Sequence, residues 1–133
     1  MGGMRFPALE NGEIDVKKAE PIIDLAYSLG VNYYDTAYFY HDGKSEEFMG
    51  KALSKYPRES YILTDKLPIW VVDTPDDVER IFNEQIERCG VDYFDYYLLH
   101  CILKDNYHKY NEYDCFNWLK EKKEKGLVKH IGF

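Results

Sequence analysis

The sequence predicts an α/β protein built on a parallel sheet, and two observations support this. Short β-type runs alternate with helix-type runs along the 133 residues, an order typical of strands joined by crossover helices. Several of the helix-type runs end on a glycine, as helices often do. We count about five strands and four helices in a single domain over residues 1–133. Five parallel strands fit an open sheet, and they are also a little more than half of an eight-stranded barrel.

The first elements surround one amphipathic helix. Residues 17–29 carry apolar side chains at helical spacing, and Asp15 is placed to cap the start of this helix. Pro21 falls inside it, so we expect a kink in the first turns or a later start. Residues 31–37 form the following strand, and residues 1–6 are a possible additional strand before the helix.

The next elements have clear boundaries. Residues 44–54 predict a short helix with Ser45 near its N-cap, and residues 61–66 predict a strand. Thr74 is a capping residue followed by a proline and two aspartates, which favour the positive end of a helix dipole. Gly90 ends this third helix.

The last part of the chain repeats the alternation. Residues 93–100 are the clearest strand, residues 113–125 form a helix, and residues 130–133 begin one more strand. Residues 100–112 are predicted to be irregular. In a barrel, that stretch lies where functional loops are found, at the carboxyl end of a strand.

The composition excludes several classes of function. There are 17 Lys and Arg against 24 Asp and Glu, a net charge of −7, which argues against binding to nucleic acid or to an anionic membrane surface. No apolar run is long enough for a membrane span, and the N-terminus lacks the apolar core of a signal peptide. Three cysteines without a CxxC pair indicate neither a disulfide framework nor a zinc knuckle, so we expect a cytoplasmic location.

Three of the predicted strands have a polar side chain at or near their carboxyl end. Asp35, Lys66 and His100 lie at or near strand ends, and Tyr40 follows in the loop after the first of them. Side chains alternate along a strand, which predicts that His100 shares one face with Phe94 and that the polar groups meet at one edge of the sheet. Taken singly, each residue type has a common structural explanation as a turn, surface or packing residue. Their register on successive strands favours a shared site.

These four residues form a chemically sensible set. A tyrosine hydroxyl is a weak acid at neutral pH, and a neighbouring lysine cation makes it a better proton donor. An aspartate holds the lysine in place, and a histidine adds a second hydrogen-bond donor for a substrate oxygen. Such a site can protonate a developing alkoxide.

The segments around these residues resemble the aldo-keto reductases. The resemblance rests on the strand-end motifs and on the approach to the last strand, and it covers the whole chain in order. The matching segments are DTAYFY at 35–40, GKSEE at 43–47 with Gly50, TDKLP at 64–68, DYFDYYLLH at 92–100 and KGLVKHIGF at 125–133.

This resemblance implies a (β/α)₈ barrel that reduces the carbonyl of a small molecule with NADPH, whose hydride passes to the carbonyl carbon. By the same resemblance, Tyr40 is the general acid and Lys66 assists it. Asp35 pairs with Lys66 and also lies near the nicotinamide ribose. His100 orients the carbonyl oxygen, and Trp70 lines the substrate entrance. No metal is implied.

The resemblance is to a bacterial branch whose longer members carry a C-terminal iron–sulfur segment, and no such segment is present in these residues. Asp65 replaces the commoner small residue before Lys66, and alternation predicts that it points outward with mild effect. The later strands of the family, which hold most of the cofactor, are also missing from the 133 residues. We therefore expect a truncated barrel domain, and a homodimer of two half barrels is one hypothesis that would cover its open face.

Two other functions compete with the reductase. A metal-dependent hydrolase would use His41, Asp42, Asp35 and His100 as ligands, although the sequence has neither HxH nor HExxH spacing. The second alternative is a non-catalytic half-barrel module for binding or assembly, and the short chain favours it.

Overall fold

Four parallel strands form the sheet of the protein. A computed structural model describes all of residues 1–133. The strands lie in their chain order, which is the arrangement of successive strands in a (β/α)₈ barrel. They are β1 (Tyr33–Asp35), β2 (Ile62–Leu67), β3 (Phe94–Leu99) and β4 (Val128–Gly132).

Five helices cover one face of this sheet, which confirms the predicted partial barrel. They are α1 (Val16–Ser28), α2 (Ser45–Leu53), α3 (Pro75–Cys89), α4 (Tyr107–Glu112) and α5 (Cys115–Glu124), with short 3₁₀ turns at Gly3–Arg5, Arg58–Ser60 and Ile69–Val71. None of the helices has both the length and the apolar composition to cross a membrane.

The element count differs from the sequence prediction at two places. Residues 1–6 do not form a strand: they make the first 3₁₀ turn, and only Gly2 forms an isolated bridge to Asp35. The stretch 100–112, predicted as irregular, contains α4. This helix is one and a half turns long, too short for the periodicity of a sequence window to indicate it.

Local chemistry explains the helix boundaries. The Asp15 side chain accepts a hydrogen bond from the Lys18 N–H at 3.3 Å and caps α1 as predicted. Pro21 neither ends nor delays this helix, and it lies on the exposed side, where water can solvate the carbonyl left without a partner. Ser45 lies next to the N-cap of α2, Lys44, as predicted, but its side chain does not cap the helix. Its hydroxyl is buried, accepts from Thr36 at 2.9 Å and donates to the Gly3 carbonyl at 3.1 Å.

Helix α3 is the best-defined helix of the molecule. Thr74 and Asp77 form a reciprocal capping box at its start, and Gly90 ends it at a φ of 61°. Helices α2 and α3 approach each other closely at Gly50, where a Cβ added to the glycine would lie 2.1 Å from the carbonyl oxygen of Cys89. Only a residue without a side chain allows this crossing.

The two faces of the sheet have different environments. Leu63, Leu67 and Tyr97 point toward the helices and are fully buried. On the opposite, inner face, Tyr33 is 37% exposed. His130 lies on that inner face and is also exposed. The apolar core therefore lies between sheet and helices, and the inner face is open.

The predicted alternation of β3 is wrong at Phe94. It was expected on the inner face with His100, but it is fully buried on the helix side, with its ring 5.9 Å from that of Phe82 in α3. The alternation breaks at Asp95, whose carboxylate crosses to the N–H of Leu63 at 2.9 Å. An apolar ring gains more by burial under α3 than on the open face.

The close crossing at Gly50 predicts that Gly50→Ala destabilises the protein by about 2–3 kcal/mol, because the new methyl group must push α2 away from α3. Denaturant unfolding followed by circular dichroism measures this. Gly2→Ala is the matched control, since its Cβ meets nothing within 4 Å. Equal stability of the two variants would contradict the close packing of α2 on α3.

Candidate active site

The register of the sheet gathers the predicted residues at one edge. Asp35 at the end of β1 pairs with Thr64, two residues before Lys66. Lys66 in turn pairs with Leu98, two residues before His100. Each strand is thus shifted by two positions relative to the last. This shift keeps Asp35, Lys66 and His100 on the same face while moving each one further along the strand direction.

The Lys66 ammonium is the centre of the site. Its Nζ donates to Asp35 Oδ1 at 2.8 Å and to the Thr36 carbonyl at 2.6 Å. The Tyr40 hydroxyl oxygen lies 3.4 Å from the same Nζ. Lys66 is only 8% exposed, so these three oxygens replace most of its water. The sequence-predicted Asp35, Tyr40 and Lys66 are therefore in direct contact.

A tight turn brings Tyr40 to Lys66. The Tyr40 N–H donates to the Ala37 carbonyl at 3.0 Å, and the ammonium lies 4.8 Å from the centre of the Tyr40 ring. The next residues, His41 and Asp42, have left-handed φ angles of 52° and 53°. Non-glycine residues rarely adopt such angles, and here they reverse the chain into α2. The turn fixes where the Tyr40 side chain leaves the backbone.

His100 completes the predicted set from β3. Its ring centre lies 6.3 Å from that of Tyr40, nearly perpendicular to it. Burial, and then the nearby Lys66 cation, lower the pKa of His100 from 6.5 to about 4, with Asp35 acting in the opposite direction. The imidazole is therefore neutral at physiological pH and carries one N–H donor.

Two features of His100 were not predicted from the sequence. Its Nδ1 is buried without a hydrogen-bond partner. Its backbone carbonyl accepts a hydrogen bond from the hydroxyl of Tyr110 in α4 at 2.6 Å. The composition offered no signal for this tyrosine, because 13 tyrosines are spread along the chain.

Two aromatic rings extend from the site to the surface. Trp70 in the third 3₁₀ turn is 43% exposed, and its ring centre is 5.0 Å from that of His100. Phe39 stacks on Trp70 with ring centres 5.9 Å apart and is 45% exposed. The sequence prediction named Trp70 and missed Phe39, although Phe39 directly precedes Tyr40. Together the rings form an apolar wall beside His100.

The donors and acceptors at this edge fit a nicotinamide cofactor. Asp35 uses one carboxylate oxygen for Lys66, and the other makes no hydrogen bond in the structure although the side chain is 27% exposed. A free carboxylate oxygen is the group that accepts from ribose hydroxyls in dinucleotide sites.

The residues proposed for a metal hydrolase do not come together as ligands. No group of three or more His, Cys, Asp or Glu side chains is arranged to hold a metal ion. The His41 Nε2 accepts a hydrogen bond from the Phe6 N–H at 2.9 Å, and its ring stacks on that of Phe6. His41 is therefore part of the packing under the N-terminal turn.

This fold and this cluster define a class of protein, and comparison with known families identifies it. The family model of the aldo/keto reductase family matches residues 1–133. The chain belongs to this family.

Known relatives agree with the assignment. An NADH-specific methylglyoxal reductase of Escherichia coli is 32% identical over 107 residues, which are 68% of this chain and 33% of that protein. The holo form of an aldo-keto reductase from Bacillus halodurans is 28% identical with a TM-score of 0.75, covering 99% of this chain and 44% of that one. An aldo-keto reductase from Klebsiella pneumoniae, solved with NADPH, shares the fold at 21% identity and a TM-score of 0.77 over 99% of this chain and 43% of its own. The chain thus spans less than half the length of these relatives.

The lowered pKa of His100 predicts a titration near pH 4 in place of 6.5, because burial and Lys66 both disfavour the imidazolium. Proton NMR of the four histidines measures this, and the resonance missing in His100→Gln assigns the signal.

The same shift affects stability. In the unfolded chain His100 takes up a proton below a pH of about 6.5, whereas in the folded chain its pKa is lowered to about 4. Between these two pH values protonation therefore favours the unfolded chain, and the free energy of unfolding decreases as the pH falls. The loss should be smaller in His100→Gln. A midpoint at 6.5 together with equal losses in both proteins would contradict the burial of His100.

Proposed function

We propose that this chain carries the proton-donating residues of a reductase that converts an aldehyde or ketone to an alcohol with NADPH. The observation that supports the proposal is the buried Lys66 ammonium, held between Asp35, the Thr36 carbonyl and the Tyr40 hydroxyl. The cluster lies at the carboxyl ends of parallel strands, where barrel enzymes have their active sites.

Tyr40 is the proton donor in this proposal. When a carbonyl is reduced, negative charge develops on its oxygen, and a hydroxyl within hydrogen-bond reach can transfer a proton to it. The Lys66 cation stabilises the phenolate that forms when Tyr40 gives up its proton. The 3.4 Å distance between the Lys66 Nζ and the Tyr40 hydroxyl oxygen suits that role. Asp35 keeps the ammonium in place through its 2.8 Å ion pair.

His100 acts as the second donor. As a neutral imidazole it offers an N–H to the substrate oxygen without competing for the proton of Tyr40. The nicotinamide, when bound, supplies the hydride. The free oxygen of Asp35 and the exposed ring of Trp70 are the groups of this chain that would hold it and the substrate beside His100.

The substrate is a small carbonyl compound whose non-reacting part contacts an apolar surface. Trp70 and Phe39 form that surface, and together they favour an apolar or aromatic substituent over a charged one. The E. coli relative is named for NADH and the K. pneumoniae structure for NADPH, so both cofactors belong in the assay.

We further propose a single barrel domain over residues 1–133, a cytoplasmic location and a homodimer of half barrels. The open inner face carries Tyr33 and His130 at its surface, which is the area a second copy would cover. Sedimentation at micromolar concentration measures the mass in solution. A monomer over the whole concentration range would contradict the homodimer.

Tyr40→Phe is expected to lower the rate of carbonyl reduction by about 10²- to 10⁴-fold, because the proton donor is removed while packing is kept. The assay follows NADPH or NADH consumption with a panel of aldehydes, and fluorescence titration measures cofactor binding separately.

Tyr107→Phe is the matched control for the same chemical change, since Tyr107 is a 48% exposed tyrosine of α4 without a hydrogen bond from its hydroxyl. The control should reduce carbonyls like the unchanged chain. Full activity of Tyr40→Phe would contradict the proposal, as would a folded unchanged chain that reduces no carbonyl with either cofactor.

A further inference from the structure

A buried polar cluster lies directly behind the site, on the helix side of β2. We define this rear cluster as Glu46 of α2, Asp65 of β2, Gln85 and Arg88 of α3, and Tyr97 of β3. All but Arg88 are fully buried. Buried polar groups of this number are costly unless each has a partner, so their presence needs an explanation.

Asp65 is where the structure departs most from the sequence interpretation. It points away from the inner face as predicted, but the effect is not mild, because it enters the buried layer under α2 and α3. Its Oδ2 lies 3.9 Å from the Cys89 sulfur, and its carboxyl faces that of Glu46. Burial and the Glu46 charge raise the pKa of Asp65 well above its usual range.

The charges of the rear cluster balance only if one proton is kept. Glu46 is paired with the Arg88 guanidinium at 2.9 Å, and no second cation reaches the two carboxyl groups from this side. The Lys66 ammonium points to the opposite face of β2. Burial and the Glu46 charge therefore favour the protonated form of the Asp65 carboxyl.

The backbone of Lys66 needs these side chains. The Thr36 N–H donates to the Thr64 carbonyl at 2.9 Å, so the backbone groups of Thr64, and by alternation those of Lys66, face β1. Strand β1 ends at Asp35, level with Thr64, and offers no partner for Lys66. A buried N–H and a buried carbonyl would be left unpaired.

Two members of the rear cluster take the place of the missing strand. Asp65 Oδ1 accepts from the Lys66 N–H at 2.8 Å, and Gln85 Nε2 donates to the Lys66 carbonyl at 3.1 Å. Gln85 is itself fixed, because its Nε2 also donates to Glu46 at 2.9 Å and its Oε1 accepts from the Tyr97 hydroxyl. The N–H and the carbonyl of Lys66 are thus both held by buried side chains, and Gln85 is itself hydrogen-bonded on both sides of its amide.

We propose that Asp65 and Gln85 are positioning residues, which hold the Lys66 backbone so that its ammonium meets Asp35, Thr36 and Tyr40 together. The inference rests on the proposed function for the meaning of that position. Three acceptors within 3.4 Å of one Nζ tolerate little displacement of the backbone. The rear cluster supplies the rigidity from the side that substrate never touches.

Four variants separate positioning from general stability. Gln85→Met keeps the volume and removes the donor to Lys66. Asp65→Leu removes the acceptor, whereas Asp65→Asn keeps an acceptor oxygen and mimics the protonated carboxyl. Leu119→Ala truncates a buried side chain of α5 away from Lys66 and serves as the destabilised control.

The first readout is the NMR signal of the Lys66 ammonium, assigned by its loss in Lys66→Met. We expect the protected signal to shift or broaden in Gln85→Met and Asp65→Leu, and to persist in Asp65→Asn and Leu119→Ala. If Gln85→Met and Asp65→Leu fail to fold, Asp65→Asn still tests the proposal, because the proposal requires its Lys66 ammonium signal to stay unchanged. Persistence of the signal in a folded Gln85→Met, or its loss in Asp65→Asn, would overturn the proposal.

The second readout tests whether the Asp65 carboxyl keeps its proton. Infrared spectra at neutral pH should contain the carbonyl stretch of a protonated carboxyl that disappears in Asp65→Asn. The titratable groups that face Asp65 are Glu46 from α2, Cys89 from α3, Tyr97 from β3 and its neighbour Lys66, while Arg88 of α3 pairs with Glu46. No band at neutral pH would overturn this part of the proposal.

The pH dependence of the free energy of unfolding is an independent test of the proton on Asp65. The folded chain keeps the Asp65 proton while the unfolded chain releases it above 3.8, so the unchanged chain should lose stability relative to Asp65→Asn as pH rises beyond this value. Denaturant unfolding at several pH values measures the difference. Parallel pH profiles for the two proteins would contradict a retained proton.

Turnover distinguishes this inference from the proposed function. In the reductase assay, Gln85→Met should lower kcat by about 10- to 100-fold with little change in KM, because a misplaced ammonium affects the transition state more than binding. Asp65→Asn should keep most of the rate of the unchanged chain. An active unchanged chain with an equally active Gln85→Met would reject the positioning role. An inactive unchanged chain with the predicted ammonium signals would instead reject the function alone.

Discussion

The buried cation of Lys66 is the constraint on which the site depends. A lysine ammonium that is only 8% exposed has lost most of its hydration, and its burial is tolerable only if oxygen atoms surround it. Asp35 and the Thr36 carbonyl meet this requirement from the end of β1. The short strand β1 is therefore as important for Lys66 as for the sheet, because its end turns carbonyl and carboxylate oxygens toward the ammonium.

Strand β2 connects the site to the core through its alternating side chains. Thr64 and Lys66 face the inner side, while Leu63, Asp65 and Leu67 are buried against the helices. The helices can pack closely here because Gly50 lets α2 approach α3, which brings Glu46 and Gln85 together at 2.9 Å. A helix crossing some distance from the chemistry thus controls the geometry of the polar groups behind Lys66.

Helix boundaries and the strand-end residues were predictable because they depend on local patterns. Strand alternation placed Asp35, Lys66 and His100 within one residue of a strand end, and Tyr40 was placed in the loop that follows Asp35. The break at Phe94 and the partner of Tyr110 were not predictable. They depend on how one element crosses another, and no sequence window contains that information. Asp65 was misjudged for the same reason: alternation gives a direction, but it does not say whether water or a carboxylate lies there.

The contacts that fix the site come from β1, from the turn after it and from the helices. The ammonium of Lys66 is held by β1 and its following turn, and its backbone by α3 and its own strand. His100 is held through Tyr110 of α4. These contacts all lie within residues 33–110, and they fix the Lys66 ammonium on the inner face beside Asp35 and Tyr40. The inner face, where Tyr33 and His130 are exposed, contributes space and not support. The positions of Lys66 and His100 are therefore set by β1, its following turn and the helices, whereas the space beside them depends on whatever covers the inner face.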